Sequence, residues 1–319
     1  MGDPFAIDFV AHEMGHQFGA DHTFNNACGG NREDDYAVEP GSGTTIMGYA
    51  GVCSPNIQAH SNDYFHGKSL QEIGTFINGN GGKCATITQT TMFPPTVTDP
   101  PNILVPKSTP LMLNGNATGT NANIFTYTWE QMDHQISKQP PVATSTGGPN
   151  FRSLKGTTSK TRYLLSLGAL STNGPFTWEV RPSVGRVMNF RLTVRQNNAG
   201  GLNCNSSQDM QVTVVGVAGP FVVSSFDTAG NIWKVGSKKI ITWKVAGTKA
   251  NPINAATVDI FLSKDGGLSF GAILAKDVPN DGLQEITVPE LPTSKGRIMV
   301  RSHARTFFNV THHDIKIIP

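Results

Sequence analysis

Four side chains near the start of the sequence, those of His12, Glu13, His16 and His22, have the types and spacing to do chemistry. They stand in Val10-Ala11-His12-Glu13-Met14-Gly15-His16-Gln17-Phe18-Gly19-Ala20-Asp21-His22, which reads H-E-x-x-H-x-x-G-x-x-H. On a helix, His12 and His16 are four residues apart and project from one face, about a turn apart. Two imidazoles so placed can grip one metal ion, and Glu13 beside them can reach a water on that ion. Gly19 can take a positive φ and let the chain leave the helix sharply. The turn then brings His22 back as a third ligand. Three protein ligands leave one coordination position for water, the mark of a catalytic zinc rather than a structural one. H-E-x-x-H alone fixes three positions and occurs by accident. The longer string fixes five, which weakens the alternative of a surface helix that happens to carry histidines.

The elements that must position these residues are legible in the flanking pattern. Asp3 is a natural N-cap, and Pro4 suits the first helical position. Ile7, Val10, Ala11, Met14 and Phe18 follow at helical spacing, so the helix is expected to have an apolar face to bury and a chemical face beside it. From Thr23 to Pro55 the residues are those of loops, with Gly29-Gly30-Asn31 and Pro40-Gly41-Ser42-Gly43 as turn signals. Ser69-Leu70-Gln71-Glu72 has the form of a capping box opening a second helix, which should end at Gly79 or Gly81. Residues 92–110 are rich in Pro and Thr and read as a linker. Beyond it the chain alternates as strands do, at Phe125–Trp129, Phe190–Val194 and Met210–Val214, with a long insertion from about Met132 to Ser183. Gly219-Pro220 marks a second boundary. Further strand signals follow at Ile240–Val245, Val258–Leu262, Glu285–Val288 and Arg297–Val300.

Length and composition set outer limits. With 319 residues, the chain has room for two or three domains. Only 15% of residues are charged, and there are 34 Gly and 20 Pro, which suits short strands and many turns, as in secreted β-rich proteins. The net charge of +2, without a basic run, argues against nucleic acid as a partner. No apolar run approaches a membrane span. Met1-Gly2-Asp3-Pro4 has neither the basic start nor the apolar core of a signal peptide, so the sequence reads as a piece of a longer precursor. Arg32-Glu33-Asp34-Asp35 leaves calcium open as a second ion, but the ligand spacing of a calcium loop is missing and a solvated loop is the simpler reading. Asn116, Asn205 and Asn309 match the N-glycosylation pattern, which matters only in a eukaryotic secretory route. Ser263-Lys264-Asp265-Gly266-Gly267-Leu268-Ser269-Phe270 resembles the Asp-box hairpin of sialidases. A single copy reads as a structural turn, not as a sialidase propeller.

The extended histidine string is followed by Thr45-Ile46-Met47-Gly48-Tyr49, and in this order the two resemble the metzincin clan of zinc endopeptidases, whose histidine motif precedes a methionine turn beneath the metal. The segments H-E-M-G-H-Q-F-G-A-D-H-T-F and E-P-G-S-G-T-T-I-M-G-Y-A-G-V-C resemble the C-terminal half of a reprolysin-like (adamalysin-like) catalytic domain. The resemblance implies His12, His16 and His22 as zinc ligands, Glu13 as general base and Met47 as the turn methionine. Tyr49 matches the tyrosine that astacins and serralysins bring near the metal, with simple packing as its alternative role. Thr23 stands where typical adamalysins have Asp. Cys28 and Cys53 bracket the loop from the third histidine to the end of the methionine turn and are expected to form a disulfide, the alternative being two buried thiols. Cys84 and Cys204 are left unassigned. A metzincin domain also has an N-terminal half whose edge strand holds extended substrate; only eleven residues precede His12, so that wall is expected to be missing and the apolar side of the first helix exposed.

The fold expected from all this is multidomain and mainly β: a partial α-helical metzincin C-terminal subdomain over 1–91, a β-sandwich resembling polycystic-kidney-disease-type modules over 92–217, and an immunoglobulin-like β-sandwich over 218–319. The function expected is zinc-dependent hydrolysis of peptide bonds in a protein or peptide substrate, by a secreted multidomain peptidase of the kind found in environmental bacteria, with this piece weakly active or inactive. The rival reading is a non-catalytic adhesion or substrate-targeting module carrying a peptidase remnant. No nucleic acid and no membrane is expected as a partner.

Overall fold

The computed structural model describes residues 3–88, 92–120, 124–172, 174, 176–198, 202–226 and 228–319. The chain is mainly β. Period-two burial shows why: within β7 (Arg186–Gln196), Met188, Phe190, Leu192 and Val194 are fully buried while Val187 stands in solvent. Strand β7 is the centre of a four-stranded sheet ordered β2-β8-β7-β5, with β2 at Ile103–Pro106, β5 at Phe125–Gln131 and β8 at Cys204–Val215. The β7–β8 ladder is antiparallel from Arg186↔Val214 to Gln196↔Cys204. Two short pairs complete this half: β1 (Thr96–Val97) with β4 (Ala117–Thr118), and β3 (Leu111–Asn114) with β6 (Thr161–Leu164).

The C-terminal half has strands β9 (Val222–Val223), β10 (Asn231–Lys234), β11 (Lys238–Lys244), β12 (Thr257–Ser263), β13 (Ala272–Pro279), β14 (Leu283–Thr287), β15 (Thr293–Ser302), β16 (Phe308–Val310) and β17 (Ile315–Ile318). One sheet is ordered β10-β17-β15-β12-β13, with β16 on β15, and it faces a three-stranded sheet ordered β14-β11-β9. The central strands of this half are β12 and β15. All strand signals read from the sequence fall on strands, whereas β6, inside the long insertion, has no alternation to betray it. The apolar interior is one cluster through both halves, joined where Leu111 bridges Phe307 and the Phe221 amide donates to Thr109 Oγ1 at 2.9 Å. The Asp-box segment is a closed turn. Asp265 accepts from Ser263 Oγ, Ser269 Oγ and the amides of Leu268 and Ser269, and these bonds hold its carboxyl down at about 2. Asn309 is buried, with its side-chain oxygen taken by the Val223 amide, so it offers no glycosylation site.

Residues 3–88 contain no paired strand longer than the isolated bridge Phe24↔Glu39 among the described residues. The first helix is composite: a turn α1 (Asp3–Phe5), a π-helical stretch (Ala6–Ala11) and α2 (His12–Gln17). Met1, Gly2 and the side chain of Asp3, the expected cap, lie outside the described residues. The expected apolar face does not bury as a unit. Ile7 and Ala11 pack on the core cluster of Ala20, Ile46 and Met47, but Val10, Met14 and Phe18 are 46%, 49% and 41% exposed. Met14 and Phe18 lie beside Ala11 and Gly15 along an open apolar groove with Phe65, Ile73 and Ile77, so this side of the helix is exposed, as expected. The side pressed inward is the line Ile7, Ala11, Gly15.

Helix α3 (Gly67–Asn78) corrects the expected capping box. Its N-cap is His66, whose Nδ1 accepts from the Lys68 amide, while Glu130 Oε2 accepts from the Gly67 amide. Ser69 therefore lies within the helix, and Glu72 turns instead to accept from the Asp21 amide at 3.0 Å. The first turn's donors are already taken by His66 and, from a distance in sequence, by Glu130, so a box at Ser69–Glu72 is not needed. The helix ends at Gly79, as expected.

Residues 3–88 are bound tightly to the first sandwich. From β7, Arg195 donates to Phe65 O at 2.7 Å and Arg191 to Gln71 Oε1 at 2.7 Å. From the insertion, Gln139 accepts from the Gly41 amide at 2.8 Å, the Ser137 amide donates to Asn25 Oδ1 at 3.1 Å, and Tyr64 Oη lies 2.8 Å from Ser153 Oγ.

Candidate metal centre

Helix α2 carries His12 and His16 on adjacent turns, and the helix stops where Gly19 takes φ +82°. The Gly19 amide donates to His16 O and the Ala20 amide to Gly15 O, which closes the turn and reverses the chain toward His22. The three rings then converge. His16 Nε2 lies 3.2 Å from His12 Nε2 and 3.1 Å from His22 Nε2, and all three ligand atoms lie within 4.8 Å of one another. Each opposite nitrogen is anchored to a backbone carbonyl: His12 Nδ1–H to Ile46 O at 2.7 Å, His16 Nδ1–H to Ala20 O at 2.8 Å, and His22 Nδ1–H to Asn31 O at 2.9 Å. A carbonyl can only accept, so all three Nδ1 carry the proton and all three Nε2 present a lone pair to the shared centre.

Lone pairs at 3.1–3.2 Å repel one another unless a cation lies between them. A tetrahedral zinc with Zn–N bonds of about 2.0–2.1 Å sets its nitrogens about 3.3 Å apart, so the donors fit that ion. Burial lowers the pKa of His12 and of His22, each also lowered by the neighbouring His16, so both rings favour the neutral form that binds metal.

Glu13 and Tyr49 border, with His12, a cavity of about 420 Å³ that extends past Phe9 and Val52 toward Asp8 and His60. Glu13 is exposed to that cavity's solvent. Tyr49 is half-buried. Its ring packs against His22 and Phe24, each with centroids 4.5 Å away, and reaches His12 at 5.6 Å. Burial and then the Glu13 charge raise its pKa, so the phenol keeps its proton at neutral pH. Met47 is fully buried under α2, so close that a Cβ on Gly15 would sit 2.4 Å from its sulfur. Gly15 is thus as much a part of the methionine turn as Met47. Cys28 and Cys53 form a disulfide, with Cα atoms 5.6 Å apart, while Cys84 and Cys204 are free thiols.

Three contributors escape sequence reading. Gly15 looks like a filler between ligands. Phe24, fully buried, backs the His22 ring with centroids 5.0 Å apart, and its place two residues beyond the ligand was the only available hint. Glu39 lies in a loop and is drawn to the site only by the fold.

Comparison with known proteins bears on the same stretch. Residues 1–75 match the family described as Metallo-peptidase family M12B Reprolysin-like. No curated protein matches the chain. Among solved structures, a chimeric titin Z1Z2 tandem is 11% identical, covering 71% of this chain and 100% of that one, with a TM-score of 0.23. A Bacteroides ovatus protein of a mixed-linkage glucan utilization locus, SGBP-B, is 13% identical over 72% of this chain and 48% of its own, with a TM-score of 0.20. Mouse cadherin-23 EC22-24 is 12% identical over 70% and 67%, with a TM-score of 0.22. Scores this low carry no argument. The family match, by contrast, includes every residue of the histidine string and the methionine turn, so a reprolysin-like metallopeptidase region occupies the start of this chain.

Proposed function

We propose that this protein is a zinc-dependent endopeptidase of protein substrates. The observation that carries the reading is the set of three imidazoles whose Nδ1–H groups are each held by a carbonyl while their Nε2 atoms converge. His12, His16 and His22 would hold the ion, which when bound supplies a Lewis acid and brings the pKa of its water near 7. Glu13, on the next residue and facing the cavity, takes a proton from the attacking water and passes it to the leaving amine. Tyr49 keeps its phenol proton and can donate a hydrogen bond to the developing oxyanion; its ring meanwhile fixes His22. Met47 supports α2 from below, and Gly19 makes the turn.

The three regions proposed are 1–91, 92–217 and 218–319, with the first sandwich serving as a brace for the metal region rather than as a free targeting module. Its insertion and β7 supply hydrogen bonds to residues 25, 41, 65 and 71. The Cys28–Cys53 disulfide supports a secreted, extracellular setting, and no helix of the described residues is long and apolar enough to cross a membrane. Hydrolysis by this chain should be slow. No strand of the described residues 3–88 is placed to pair with an extended peptide, so positioning is poor even with zinc bound.

The test is Glu13→Ala. It should keep zinc by elemental analysis and lose casein cleavage by about 10²-fold or more, measured at high protein concentration. Cleavage near the wild-type rate in that variant would overturn the assignment.

A further inference from the structure

Glu39 is 1% exposed and pairs with no cation among the described residues. A carboxylate so placed is costly unless donors surround it. They do. Oε1 accepts from the Thr44 amide and Thr44 Oγ1, both at 2.9 Å, and Oε2 from Thr23 Oγ1 at 2.7 Å, Thr45 Oγ1 at 2.5 Å and the Thr45 amide at 3.4 Å. Its backbone joins the same segment: the Glu39 amide donates to Thr23 O and the Asn25 amide to Glu39 O, both at 2.8 Å. The packing leaves no slack, since a Cβ on Gly43 would lie 3.2 Å from Oε2 and 3.0 Å from Gly48 Cα.

These bonds end one residue short of the ligands. Thr23 follows His22. Thr45 precedes Ile46, whose carbonyl orients His12. One carboxylate therefore sets the distance between the segment that carries the third histidine and the turn that aims the first. We propose that Glu39 is a positioning residue of the metal centre, acting on His22 through Thr23 and on His12 through Thr44 and Thr45. This rests on the zinc reading above. It assigns a function to a residue that touches neither ion nor substrate. A neutral amide at this position replaces one acceptor oxygen by an NH2 group facing donors, so at least one link must break or reverse. Thr23→Val removes only the side-chain bond to Glu39 beside His22 and keeps the side-chain shape.

The full chain, stripped of metal, is titrated with zinc against a chromophoric chelator, and its cobalt(II) form is read by visible absorption. Thr23→Val should fold as wild type by circular dichroism, bind zinc about tenfold more weakly and alter the cobalt spectrum. Glu39→Gln should weaken binding by 10- to 100-fold, the range for groups that orient metal ligands. If wild type binds no zinc, the zinc reading itself falls. If wild type binds zinc and Thr23→Val matches it in affinity and cobalt spectrum, the positioning role is overturned, whether or not Glu39→Gln folds.

Discussion

In the sandwiches, one apolar cluster runs from Val97 to Ile317 and includes Phe190, Leu192, Phe221, Ile260 and Phe307, each fully buried. Around the metal site the corresponding cluster has only Ala20, Ile46 and Met47 as buried members. What fills the space there instead is polar: Asn25, Asn26, Glu39, Thr44 and Thr45 are all nearly inaccessible and all hydrogen-bonded. Apolar burial is non-directional and tolerates small shifts, whereas hydrogen bonds to a buried carboxylate fix distance and angle. The metal region has given up a large core for directional bonds, a disulfide and docking onto the sandwich. Its stability and its geometry are therefore the same interactions.

The largest separation between the two regions should come from the core of the second sandwich. Phe221→Ala removes a fully buried ring from its contact with Phe307 and should cost about 3–5 kcal/mol. Urea unfolding followed by tryptophan fluorescence should show the lower midpoint, and the zinc content of the folded protein should not change. Loss of zinc from the still-folded variant would mean that the two regions share one cooperative unit.

The disulfide probes the other side. It closes a sequence separation of 25 around the methionine turn, and replacing both Cys28 and Cys53 by Ala should cost about 3 kcal/mol in the chain-entropy model. Protease nicking within residues 23–60 should quicken, while the sandwich midpoint stays in place. If only the sandwich midpoint moves, the comparison drawn here is wrong.

Much of this was legible because the relevant spacing is local. His12 and His16 share a helix, Gly19 takes the turn its position suggested, and period-two alternation located the sandwich strands. What was hidden depends on contacts across long stretches of chain. Glu130 satisfies the start of α3 from 63 residues away, so the Ser69–Glu72 box has no donors left to cap. The exposed apolar side of the first helix was expected, whereas the π stretch over Ala6–Ala11 leaves no mark in the residue spacing. Glu39 opens the segment that resembles the methionine-turn region, but nothing in its spacing assigns it a role. Its role exists only once Thr23, Thr44 and Thr45 are folded around it.

The smallest effect concerns pH. Burial of Glu72, reinforced by the nearby Asp21 charge, pushes its carboxyl up to about 7, and its Oε2 is buried without a hydrogen-bond partner. The folded state thus holds this proton more tightly than the unfolded state, whose value is 4.5. The stabilisation is complete below about 4.5 and is lost as pH rises through about 7. In the metal-free protein, the midpoint of the metal region should fall between pH 5 and 7.5 more steeply in wild type than in Glu72→Gln. Equal slopes would remove the assignment.

The central claim is tested most directly by metal content. The purified chain, loaded with zinc and freed of excess, should contain one zinc per molecule by elemental analysis, and His16→Ala should lose it while still folding. Wild-type protein that retains no zinc under those conditions, or a His16→Ala variant that retains a full equivalent, would contradict a metal centre at His12, His16 and His22.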